Sequence, residues 1–87
     1  PYYERALAIR KEVLGDKHPD TATSLNNLGG LLDDMGDSAA ARAYYEQALA
    51  INREALGEKH PDTASSLNNL GYLLRAMGDL AAARLHR

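Results

Sequence analysis

The chain has 87 residues, 45% of them apolar, with five Tyr but no Trp, Phe or Cys, and a formal charge of -2. A chain this short makes at most one small domain, burying about 60% of the surface its unfolded form exposes, and without cysteine it has neither a disulfide framework nor a thiolate metal site. The charge leaves no basic cluster for nucleic-acid phosphates, and no apolar run reaches the roughly 18 residues of a membrane span. Leu and Ala dominate, so an all-α fold is expected; with no leader pattern at the start, the expected location is cytoplasmic.

Residues 2 to 14 read as a helix closed by Leu14-Gly15. Lys17-His18-Pro19-Asp20-Thr21-Ala22 then opens a second helix at about Pro19: proline tolerates the first turn, and Asp20 suits the positive end of the helix dipole. Leu25, Leu28, Leu31, Leu32 and Met35 recur at spacings of three and four and draw its apolar stripe. Gly36 supplies a left-handed C-cap and Asp37 the N-cap of a third helix, which carries Ala41, Tyr45, Ala48, Leu49 and Leu56 inward and stops at Gly57. So short a connection makes the two helices an antiparallel hairpin.

From Tyr44 onward the sequence repeats itself. Tyr2-Tyr3-Glu4 returns as Tyr44-Tyr45-Glu46, and the Lys17-to-Ala22 motif as Lys59-His60-Pro61-Asp62-Thr63-Ala64. Ser24-Leu25-Asn26-Asn27-Leu28-Gly29 returns as Ser66-Leu67-Asn68-Asn69-Leu70-Gly71, and Met35-Gly36-Asp37 as Met77-Gly78-Asp79, always 42 residues later. One such unit cannot bury its apolar face alone and relies on its neighbours. The periodicity predicts first helices over residues 19 to 35 and 61 to 77. Residues 1 to 14 are then the second helix of a preceding unit, 19 to 57 a whole unit and 61 to 87 a truncated one, as expected of a piece of a longer array.

Leu25, Leu28, Gly29, Leu32, Gly36, Asp37, Ala41, Tyr45 and Ala48 resemble the tetratricopeptide signature, with small residues where two helices approach closest. Leu67, Leu70, Gly71, Leu74, Gly78, Asp79 and Ala83 repeat it. The usual unit of this family is about 34 residues; the longer unit here, with its Leu-Gly and His-Pro-Asp-Thr-Ala junction, looks like the kinesin light chain type. The resemblance implies an α-solenoid of helix hairpins whose first helices line a concave surface. It also implies a protein-binding scaffold with no cofactor and no catalytic activity.

Removing the apolar stripe from the first helices leaves Thr23, Asn26, Asn27, Gly30, Asp33 and Asp34 in one unit and Ser65, Asn68, Asn69, Tyr72, Arg75 and Ala76 in the next. Asparagine carries both a donor and an acceptor, so Asn27 and Asn69 can pair with the N–H and C=O of an extended peptide whatever its sequence. The family resemblance implies the same contact. The competing reading has Asn26 and Asn27 satisfying polar groups between repeats. Gly30 against Tyr72, Asp33 against Arg75 and Asp34 against Ala76 vary within near-identical units, as a specificity surface does. Asp33 and Asp34 favour a basic residue in the partner and Arg75 an acidic one.

Other patterns carry less. His-Pro-Asp is also the tripeptide of J-domain co-chaperones, but here it recurs at the repeat period at helix starts. His18 and His60 fall about 10 Å apart in such a stack, too far to share a metal ion. Ser24, Ser38, Ser65 and Ser66 sit in no nucleophile elbow, and His86 lies far along the chain from them. Tyr2, Tyr3, Tyr44 and Tyr45 read as core packing. The partner is therefore a protein or peptide, with neither nucleic acid nor membrane. The alternative is a structural spacer that self-associates head to tail, since Leu7, Ile9 and their neighbours on the first helix lack the helix that would cover them.

Overall fold

Three glycines with positive φ, Gly15 (94°), Gly36 (88°) and Gly57 (98°), divide the chain where the sequence places its stops. In this computed structural model they separate helices α1 (Tyr2–Leu14), α2 (Pro19–Asp34), α3 (Ser38–Leu56) and α4 (Pro61–Leu85). The structure describes residues 2–15 and 17–85; the side-chain surroundings of Tyr3 and of residues 79–85, Ala83 included, and all of His86 lie outside that description. The α2–α3 turn is a Schellman motif: Asp37 N–H donates to Leu32 O (2.8 Å) and Gly36 N–H to Asp33 O (2.9 Å). Asp37 Oδ1 then accepts from Ala40 N–H (3.1 Å) and caps α3.

The Gly-to-Thr connectors are identical devices. Thr21 Oγ1 donates to Gly15 O (2.9 Å) and Thr63 Oγ1 to Gly57 O (2.7 Å), and both threonines are fully buried. The histidines cap the helices themselves: Asp20 N–H donates to His18 Nδ1 and Asp62 N–H to His60 Nδ1, each at 3.0 Å.

The core follows the apolar stripes. Leu7 of α1, Ala22, Leu25 and Leu28 of α2 and Ala48 and Ile51 of α3 form one buried cluster; Ala41 and Tyr45 of α3 and Leu73 of α4 form the next. Leu32 touches both, so α3 is packed against α2 on one side and α4 on the other. Leu7 is thus covered rather than flanked by open surface, because its side chain leans onto α2; Ile9 and Val13 remain exposed. Met35, expected inside, is 72% exposed. Its equivalent Met77 rests on the Ala41–Tyr45–Leu73 cluster.

One expected turn is absent. Gly78 and Asp79 match Gly36 and Asp37, yet α4 runs unbroken through them to Leu85 and Gly78 is not among the positive-φ glycines. The run Ala81-Ala82-Ala83-Arg84 has high helix propensity and favours continuing the helix already formed.

Candidate functional site

Repeat-equivalent residues meet across the α2–α4 junction. Thr23 of α2 and Ser65 of α4 occupy the same place in their units, and both line one cavity of about 170 Å³, with Asn26, Asn27, Asn52 and Asp62 completing the wall. On α2 the core residues Leu25, Leu28 and Leu32 lie on the opposite side of the helix, which leaves the Thr23–Asn27 stripe uncovered. On α4, Asn69 and Tyr72 follow Ser65 at spacings of four and seven and so continue its stripe. Both are exposed, Tyr72 by 78%.

The remaining expected site residues are less closely gathered. Asn68 and Arg75 are exposed at one flank of the α4 stripe, and Arg75 already has a polar interaction of its own. Asp33 and Asp34 sit at the far end of α2 beside Tyr45. Burial first, then the nearby carboxylates of Asp33 and Asp34, push the Tyr45 hydroxyl above its usual pKa. The two acids therefore bear on a core tyrosine as well as on any ligand.

Asn26 differs from Asn27. Its Nδ2 donates to Ser66 Oγ (3.3 Å), and Asn52 Nδ2 donates to the same oxygen (2.9 Å) and to the Asp62 carbonyl (3.4 Å). Asn26 thus ties neighbouring units together, the role that competed with peptide contact. Ser66 is fully buried and Asn52 only 3% exposed, so one buried hydroxyl joins α2, α3 and α4. The other ends of both amides, Asn26 Oδ1 and Asn52 Oδ1, are buried and accept no hydrogen bond from the described residues.

Sequence reasoning missed Asn52. The signal was there as a departure from the repeat, since its equivalent is Arg10, whose Nη1 donates to the Asp20 carbonyl (2.9 Å) as Asn52 donates to that of Asp62. Of the described helices, none is long and apolar enough to cross a membrane.

A family model described as tetratricopeptide repeat matches residues 1–54 and again residues 34–86. No curated protein matches the chain.

Proposed function

Because the chain belongs to the tetratricopeptide repeat family, whose repeats mediate protein–protein interaction and act as non-catalytic scaffolds, we propose that it holds an extended protein segment along the stripe running from Thr23 and Asn27 to Ser65, Asn69 and Tyr72. The observation that carries this reading is the shared cavity: equivalent polar positions of successive units face one space on the side away from the core. Asn27 and Asn69 then grip main-chain N–H and C=O groups, and Tyr72 adds an exposed ring for an apolar side chain. Asn26 and Asn68 play smaller parts, while Asp33, Asp34 and Arg75 bias partner charge by about 1 kcal/mol or less each. The 42-residue period supports the kinesin light chain-like form of the repeat.

The test begins with panning a displayed library of random peptides against the chain. Peptides so selected should lose at least tenfold in affinity for an Asn27→Ala/Asn69→Ala variant whose circular-dichroism melt is unchanged. Equal binding by that variant would refute the reading, and an altered melt would assign the asparagines a structural role instead.

A second reading has its own observation. Ala22, Leu25 and Gly29 of α2 are buried, whereas their equivalents Ala64, Leu67 and Gly71 on α4 are exposed, as are Leu74 of α4 and Ile9 of α1. The α2–α3 pair is the template for covering both faces, with α1 of one copy lying on α4 of the next. Sedimentation across a wide concentration range should show reversible growth beyond the monomer; a strictly monomeric chain at millimolar concentration would exclude it.

A further inference from the structure

We propose that the junction cavity of α2, α3 and α4 is a subsite for a guanidinium, the tip of an arginine side chain on the bound segment; this deepens the groove reading and rests on it. The lining is a surplus of acceptors. All six residues, Thr23, Asn26, Asn27, Asn52, Asp62 and Ser65, carry side-chain oxygen, and none is basic. The donors they own are largely committed: Asn26 and Asn52 give Nδ2 protons to Ser66, and Thr23 gives its proton to the Pro19 carbonyl (3.3 Å). Left over are the Asp62 carboxylate and the exposed Asn27 amide, which no side-chain hydrogen bond or ion pair among the described residues engages.

What such a wall lacks is a group with many N–H donors and positive charge. Guanidinium offers five donors in a fixed plane and stays charged, whereas an ammonium offers three on a compact, strongly hydrated centre. Size agrees: the cavity of about 170 Å³ is comparable to an engineered cavity of about 150 Å³ that holds benzene. That space takes a guanidinium with two methylenes of its stem. The Asn26 and Asn52 oxygens have almost no accessible surface, so the contacts to the ligand fall to the Asp62 carboxylate and the Asn27 amide oxygen.

The repeat contains its own template. At the α1–α2 junction the position of Asn52 is filled by Arg10, and its guanidinium reaches the first-turn carbonyl of Asp20 at 2.9 Å. At the α3–α4 junction the shorter Asn52 reaches the corresponding Asp62 carbonyl only at 3.4 Å. A partner's arginine therefore takes up, from outside, the place that one unit fills from within.

The experiment titrates N-acetyl-arginine amide into the whole chain and follows the side-chain amide resonances of its asparagines, with the lysine and citrulline analogues in parallel. The arginine compound should shift Asn26, Asn27 and Asn52. Citrulline, of nearly the same shape but uncharged, and lysine should each bind at least tenfold more weakly. Asp62→Asn should weaken the arginine compound about tenfold, the effect of losing one charge-assisted hydrogen bond. Asn52→Arg, which copies Arg10, should abolish its binding while the library-selected peptides lacking arginine still bind. No shift with arginine, equal shifts with citrulline or lysine, or indifference to Asp62→Asn would each overturn the proposal. Peptide binding that survives those results leaves the groove reading standing; its loss in the Asn27→Ala/Asn69→Ala variant tests that reading separately.

Discussion

Gly29→Ala destabilises the fold by about 1–3 kcal/mol, whereas Gly71→Ala, the same change one repeat later, stabilises it by about 1 kcal/mol. The two glycines sit in identical sequence, Asn-Asn-Leu-Gly, and differ only in what packs on them. A Cβ on Gly29 would lie 2.7 Å from Tyr45 Cε1 and 2.8 Å from Cδ1, closer than real contacts permit. The ring cannot simply step aside, because Tyr45 is 8% exposed and wedged against Ala41 and Leu73. A Cβ on Gly71 meets nothing within 4 Å, and alanine there gains the helix propensity that glycine lacks. Paired thermal or urea melts read the opposite signs directly. Changes of the same sign would mean that α3 does not cover α2 more closely than any element covers α4.

The second large effect lies in the seam. Ser66→Ala removes the oxygen that accepts from both Asn26 and Asn52, leaving the half-buried Asn26 amide without that partner and Asn52 with only the longer bond to the Asp62 carbonyl. The expected loss is about 1–3 kcal/mol, or a fall of roughly 5 °C or more in melting temperature for a chain of this size. Asn27→Ala, at an exposed neighbouring position, is the control and should stay within about 0.5 kcal/mol. A Ser66→Ala melt indistinguishable from the parent would show that the seam carries no stability.

The helices were legible because their signals are local. Proline at the first turn, apolar spacings of three and four, Gly36 and Asp37 each act within a few residues, and the structure uses them where the sequence displays them. What depends on a neighbour was hidden. The histidine caps went unread because Pro19 and Asp20 already account for the helix start, and only the side-chain geometry reveals Nδ1 as an acceptor. Asn52 lies on a helix whose buried positions were read from apolar residues alone, so a buried polar residue there carried no periodic signal. Gly78-Asp79 shows the converse: an intact local turn signal is passed over by a helix that runs on into Ala81-Ala82-Ala83.

Of the candidate site, the pairing of Thr23 with Ser65 and the nearness of Asn27 followed from the repeat register, and the cavity brings them together. Asn26 was legible only as a choice between peptide contact and inter-repeat bonding, since one helix-surface position serves both, and in the structure its amide bonds Ser66 of the next unit. Asp33 and Asp34 lie on the same helix but beside Tyr45, which a repeat alignment does not show.

The central claim is that partner segments lie along the α2–α4 stripe, and resonance mapping tests it most directly. A library-selected peptide is added to isotope-labelled chain and the perturbed residues are read from backbone and side-chain amide shifts. The account predicts perturbations at Thr23, Asn27, Ser65, Asn69 and Tyr72, with Leu67, Gly71 and Leu74 on the other side of α4 unmoved. Shifts concentrated on Leu67, Gly71 and Leu74 instead, with the Thr23-to-Tyr72 stripe silent, would contradict it.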